Sequence, residues 1–207
     1  MRTRSQAPRR ASARRRARAP APAAALTVVL AGALAGPGAP GRAAAQEPAR
    51  PAAARLVEIR PDWLSYRADS NLVRLSVTAT LNGANGGLNF NGYANGDLTI
   101  TVPLGWKVVV TFVSRDASIP HSVGIVEPAD PIPATSEGLT FAFRGAFSVP
   151  FTSGSRAGQT QTFDFVADRE GRFWLYCGVP GHGVMGMWTY FVVSREATRP
   201  RAEVRQT

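Results

Sequence analysis

Leu98-Thr99-Ile100-Thr101-Val102-Pro103-Leu104-Gly105-Trp106-Lys107-Val108-Val109-Val110-Thr111-Phe112-Val113 spells two strands and the turn between them. Leu98, Ile100 and Val102 alternate with Thr99 and Thr101, the period of two that puts neighbouring side chains on opposite faces of a sheet. Pro103-Leu104-Gly105 is a turn signal. Beyond it, Trp106, Val108, Val110 and Phe112 oppose Lys107, Val109, Thr111 and Val113. That strand is apolar on both faces, so it is expected at the centre of a sheet.

The same texture extends outward in both directions. Val73, Leu75, Val77 and Ala79 alternate with Arg74, Ser76, Thr78 and Thr80, and Gln161, Phe163 and Phe165 alternate with Thr160, Thr162 and Asp164. His121–Val126, Arg172–Tyr176 and Trp188–Val193 are further β-branched or aromatic runs. Asn82-Gly83, Asn85-Gly86, Asn91-Gly92, Asn95-Gly96 and Ser153-Gly154 punctuate them as turns. After Leu56 no segment of helical length carries an apolar stripe of period 3.6. Seven or eight strands at this spacing predict an all-β sandwich or barrel over residues 56–195. Residues 196–207 are read as a flexible C-terminal tail.

The chain has 207 residues and a formal charge of +10, a balance that would suit a nucleic-acid binder. The distribution excludes that reading. Positions 1–45 hold nine arginines and no acid, leaving 15 basic against 14 acidic residues in the rest. A body near neutrality offers no electrostatic footprint for a phosphate backbone. The basic residues of 1–19, the apolar run Ala21–Gly36 and the small residues Ala43-Ala44-Ala45 read instead as an export signal, or as a retained membrane anchor. Residues 46–55 form a Pro/Ala linker. Either way the body is expected outside the cytoplasm, in a periplasmic or similar compartment.

One Cys, two His and three Met make a small inventory of soft and imidazole ligands. A single cysteine can form neither an intramolecular disulfide nor a four-cysteine metal centre. The residues cluster: Tyr176-Cys177-Gly178-Val179-Pro180-Gly181-His182-Gly183-Val184-Met185-Gly186-Met187-Trp188 carries a thiol, an imidazole and two thioethers on one glycine-rich loop. Cys177 is in phase with Phe173 and Leu175, so its thiol is expected on the buried side. His121 follows Pro120 at the head of another strand. If that strand neighbours the Cys177 strand, His121, Cys177 and His182 form a trigonal set with Met187, or Met185, as a weak axial donor. That set is diagnostic of a mononuclear electron-transfer copper site. Taken singly each residue has a plainer role, as buried thiol, loop histidine or gap-filling methionine.

At these residues the sequence resembles the cupredoxins and, within them, the sulfocyanin family, close to the rusticyanins. The C-x₄-H-x₄-M spacing of Cys177, His182 and Met187 carries the resemblance. So do Asn89-Phe90-Asn91-Gly92-Tyr93, Leu98–Pro103, Gly105-Trp106-Lys107-Val108, Pro120-His121-Ser122 and Cys177–His182. It covers roughly residues 62–194 and implies a cupredoxin-like Greek-key sandwich. It further implies one type 1 copper bound by Nδ1 of His121, Sγ of Cys177, Nδ1 of His182 and weakly by Sδ of Met187. Ser122 is implied to tie the His121 strand to the Cys177 loop. Phe143, Phe147, Trp174 and Trp188 are candidates for a dry shell around the metal, or for ordinary core.

The expected function is single-electron transport by a monomeric copper protein with no catalytic residues. The edge of His182 is the expected electron port, ringed by Gly178, Val179, Pro180, Gly181, Gly183 and Val184. The resemblance implies a cytochrome or haem–copper terminal oxidase as partner. Two other classes fit less of the pattern. A thiol enzyme built on Cys177 and a histidine base would leave Met187 and the second histidine idle. A copper carrier or storage protein would want exposed, exchangeable ligands.

Overall fold

A computed structural model describes residues 55–206. The export signal, and the linker up to its last residue, lie outside the described residues. Ten strands make up the fold: β1 (Leu56–Ile59), β2 (Leu64–Arg67), β3 (Leu72–Ala79), β4 (Leu98–Pro103), β5 (Lys107–Ser114), β6 (Gly124–Val126), β7 (Thr160–Val166), β8 (Gly171–Tyr176), β9 (Trp188–Ser194) and β10 (Arg201–Arg205). They form a six-stranded sheet in the order β1-β10-β4-β9-β8-β6 and a four-stranded sheet in the order β2-β3-β5-β7. The chain changes sheet at every connection from β3 to β8, and β3 runs parallel to β5 as β4 does to β9. The expected all-β sandwich is what forms.

The two inner faces meet in one core. Val73, Leu75, Val77 and Ala79 of β3 and Val108, Val110 and Phe112 of β5 are buried against Leu98, Ile100 and Val102 of β4 and Phe173, Leu175 and Phe191 of β8 and β9. Phe143 joins them from a loop, stacked on Phe165 at 5.2 Å and edge-on to Phe173 at 5.0 Å. β5 lies between β3 and β7, the central place its two apolar faces called for. β4 goes further than its alternation suggested, because Thr99 and Thr101 are buried too. Each of these short side chains is flanked across the ladder by longer ones, Thr99 by Glu203 and Tyr190, Thr101 by Arg201 and Val192. The long connection from β6 to β7 folds over the outer face of the larger sheet. There Phe141 and Phe151 pack on a second cluster built from Val126, Trp174 and Tyr176.

Three strands were not anticipated. β1 and β2 are four-residue segments too short for a clear period. The third, β10, corrects the reading of 196–207 as a flexible tail and moves the end of the domain past 195. Arg201–Arg205 is hydrogen-bonded on both sides, to β1 and to β4. Ala202 is buried in the main core, and charged neighbours hide the alternation. Glu58 accepts from Arg199 at 2.8 Å and Glu203 from Arg201 at 3.0 Å, so these charges satisfy one another at the surface of the sheet.

A buried charge in β10 separates a strand from a tail. Ala202→Asp places a carboxylate in the apolar core and is expected to destabilise the protein by about 3 kcal/mol or more. Arg205→Ser, on the exposed end of the same strand, should stay within about 0.5 kcal/mol of the parent. Urea unfolding of both variants checks this, since a flexible tail would leave both silent.

Candidate metal centre

The pairing of β6 with β8 aligns Gly124 with Tyr176, which brings the residues just before β6 beside those just after β8. Cys177 is the first residue beyond β8. His121 precedes β6 rather than opening it, and sits in an isolated bridge with Ser155. His121 N–H donates to Ser155 at 3.0 Å and Ser155 N–H to the His121 carbonyl at 2.7 Å. The close approach depends on Gly154, with φ +69°, where a β-carbon would lie 2.9 Å from His121 backbone atoms. Ser122 then links the two segments. Its N–H points at Cys177 Sγ at 3.5 Å, and its hydroxyl accepts from Gly178 N–H at 2.9 Å.

The loop from Cys177 to Met187 is closed by its own backbone. Cys177 N–H donates to the Met187 carbonyl at 3.2 Å, and Met187 N–H to the His182 carbonyl at 2.9 Å. His182 N–H in turn donates to Val179 at 3.1 Å, folding the imidazole back over the thiol. Neighbouring segments brace this loop: Gly181 N–H donates to Ala134 at 2.7 Å and Asn85 Nδ2 to the Met185 carbonyl at 2.8 Å. Gly178 packs so closely under Phe151, and Gly183 on Tyr176, that a β-carbon at either would clash.

His121, Cys177 and His182 converge as the sequence led one to expect. One nitrogen from each imidazole and the sulfur lie within 4.8 Å of one another, all buried. Cys177 Sγ is 3.4 Å from His182 Nδ1, and the two imidazole centroids are 4.9 Å apart. Met187 is fully buried in the same cluster as Cys177, whereas Met185 is 53% exposed. His182 is only 6% exposed, so a sliver rather than a whole edge reaches the surface, beside the exposed Pro180, Val184 and Met185. Trp174 and Trp188 belong to the cluster on the outer face of the sheet, away from Cys177, and so are not a shell for the centre. The sequence reading missed Phe151, which packs on Gly178, and two partners of His121. Nε2 of that ring lies 3.1 Å from Thr80 Oγ1 and 3.3 Å from Asp116 Oδ2.

Titration follows from burial. Burial holds the Cys177 thiol above its ordinary range, partly offset by hydrogen bonds from Ser122 and Val179. Burial pushes His121 down, against the pull of Asp116. His182 falls to about 4, through burial and then repulsion from His121. Without metal, the centre is therefore a neutral thiol facing two neutral imidazoles. His121 Nδ1 is buried with no hydrogen-bond partner. An orphaned buried acceptor is costly. It becomes an asset when a cation accepts its lone pair, and a thiol, two imidazoles and a thioether form the donor set that suits copper. The residues fit the metal.

A Greek-key sandwich with such a cluster at one end is a cupredoxin, the class of single-domain proteins that bind one type 1 copper and carry electrons rather than catalyse bond chemistry. Residues 62–204 match the Sulfocyanin (SoxE) domain model, and the chain belongs to that family. A sulfocyanin from Sulfolobus acidocaldarius is 28% identical over 144 residues, spanning 67% of this chain and 72% of that protein. Among solved structures, reduced rusticyanin superposes with a TM-score of 0.42 at 22% identity, over 60% of this chain and 85% of that one. Auracyanin from Roseiflexus castenholzii gives 0.41 at 19% identity, over 57% and 94%.

The lowered histidine values set a pH dependence for the copper-free protein. Unfolded histidine takes up a proton near 6.5, but folded His182 resists until about 4, so the unfolded state binds more protons between those values. The stability contributed by this neutral imidazole is full above that window and is lost as pH falls through it. Thermal melts of the metal-free protein should show a falling midpoint over this range, and His182→Gln should flatten the dependence.

Proposed function

We propose that the chain is exported and carries single electrons between respiratory partners, and that His121, Cys177 and His182, with Met187 as a weak fourth donor, would hold one copper ion. The observation that carries this reading is the buried, unpartnered Nδ1 of His121, on a ring that shares a buried cluster with the thiol and the second imidazole. When bound there, copper supplies a one-electron Cu(II)/Cu(I) couple.

The protein's part is to hold the ligands still and keep water out. The backbone bonds that close the 177–187 loop, and the double link through Ser122, fix the donors before any metal arrives. A fixed frame limits the reorganisation that accompanies each change of charge. Ser122 N–H, directed at the sulfur, withdraws electron density from it and favours the reduced state. Cys177 surrenders its proton on loading, because only the thiolate binds metal.

Exchange with the partner is proposed through the surface over His182. Val184 is 48% exposed there and Met185 53%, and no charged residue occurs between Cys177 and Met187. Leu81, next to Thr80, and Ile119, two residues before His121, are also exposed. Such a surface suits the small, short-lived interfaces of redox encounters. The proposed partner is a cytochrome or a haem–copper terminal oxidase, and the proposed compartment lies outside the cytoplasm, with the N-terminal segment as signal or anchor.

The optical spectrum of the copper-loaded, oxidised protein tests the ligand set. An intense thiolate-to-copper band should appear, vanish on ascorbate reduction and be absent in Cys177→Ala. A colourless wild type, or a coloured alanine variant, refutes the assignment.

The two methionines are separated by the same measurement with a potential. Met187→Leu should retain copper and raise the reduction potential, since a weak donor to the oxidised state is replaced by hydrocarbon. Met185→Leu should leave spectrum and potential nearly unchanged, as the side chain stands at the surface.

A further inference from the structure

The imidazole of His121 has a second edge, and the copper reading leaves it unused. Thr80 Oγ1 at 3.1 Å and Asp116 Oδ2 at 3.3 Å both lie within hydrogen-bond reach of Nε2, on a ring that is wholly buried. Nδ1 has no partner, so the proton belongs on Nε2, where two oxygens can receive it. The Asp116 side chain is itself 16% exposed and held in place. Its Oδ1 accepts the N–H groups of Ser118 at 2.7 Å and Ile119 at 3.0 Å, which leaves Oδ2 turned toward the ring. Among the described residues no Arg or Lys pairs with Asp116; His121 alone faces it within ion-pair distance.

Thr80 adds an independent sign. Its φ of +58° is a left-handed conformation that a β-branched residue rarely adopts. The strain is maintained by the chain around it, for Thr80 N–H donates to the Asn89 carbonyl at 3.0 Å. Backbone strain of this kind is stored where a side chain must be delivered to a particular point. Here the hydroxyl is delivered to Nε2 of His121.

We propose that Asp116 and Thr80 are positioning residues for the copper site: they fix His121 as the Nε2–H tautomer, so that Nδ1 keeps its lone pair for the metal. The Asp116 carboxylate also sets a negative charge behind the ring that lowers the reduction potential. This rests on the reading of His121 as a ligand. A carboxylate accepting the distal N–H makes the imidazole a stronger donor. That favours the more highly charged oxidised ion, opposing the effect of Ser122 on the sulfur and of the apolar surroundings.

The test compares wild type, Asp116→Asn, Thr80→Val and Thr80→Ser, each loaded with Cu(II) salt. Asp116→Asn keeps an acceptor and removes the charge, so it should stay coloured and bind copper yet show a raised potential. Thr80→Val should shift the potential the same way by less, and Thr80→Ser should restore the wild-type value. Long-range proton–nitrogen NMR of the metal-free wild type supplies a reading that needs no variant to fold. Nε2 of His121 should carry the proton and Nδ1 should not. In Asp116→Asn that proton should exchange on the order of tenfold faster, for loss of one charge-assisted bond. An unchanged potential in Asp116→Asn with only a lower melting temperature overturns the proposal, as does a proton on Nδ1 in the wild type. A wild type that takes up copper without colour overturns the ligand reading instead, and the tautomer measurement then still stands on its own.

Discussion

Burying a thiol and two imidazoles against one another is unfavourable unless something shares their lone pairs. Each is removed from water, the thiol cannot ionise easily, and one ring nitrogen has no hydrogen-bond partner at all. Protein interiors tolerate such orphans where a ligand or ion resolves them. The rest of the structure near this end of the sandwich makes sense as the means of imposing that arrangement. The β6–β8 pairing sets the two segments side by side, Ser122 ties them together, Gly154 admits the His121 backbone, and the closed loop folds His182 over the sulfur. Stability is given up locally and recovered when the metal binds, since a species that binds only the folded form shifts the folding equilibrium toward it.

In the proposed site two opposing influences act on the copper potential. Ser122 directs an N–H at the sulfur, while the carboxylate of Asp116 stands behind His121. Both residues belong to the connection between β5 and β6, six positions apart. On the proposed reading that loop holds one ligand and two groups acting on the site in opposite directions, which leaves the apolar residues over His182 to the proposed recognition surface.

Much of this was legible in the sequence, and the limits have physical causes. β3 announces itself because its apolar and polar residues alternate, β4 because its apolar residues alternate with threonines although every position is buried, and β5 because it is a long apolar run. The site loop was legible because the chain has so few soft ligands that they could hardly be elsewhere. β10 was hidden: its alternation rests on Ala202 and Val204 between charged residues, and its burial comes from two neighbours distant in sequence. The misplacement of Trp174 and Trp188 has a simpler source. Parity along β8 puts Phe173, Leu175 and Cys177 on one face and Trp174 and Tyr176 on the other, and Trp188, paired with Tyr176 across the ladder, shares that other face. Asp116 and Thr80 could not be found by pattern, since a bond from each to one imidazole depends on how the β5–β6 connection folds and how it meets the end of β3.

The placement of β10 bears on when the protein can fold. β1 has a single neighbour in its sheet, and Leu56 pairs with Arg205. The first described strand to leave the ribosome must therefore wait for Ala202, the partner of Ile59, before its pairing can begin, and β4 lacks one of its two partners for the same interval. Contacts between segments so far apart form late, because the entropy of closing the intervening loop is lost before any bond is gained. The six-stranded sheet therefore cannot be completed until nearly all of the described domain has been made, although the four-stranded sheet needs no residue beyond Val166.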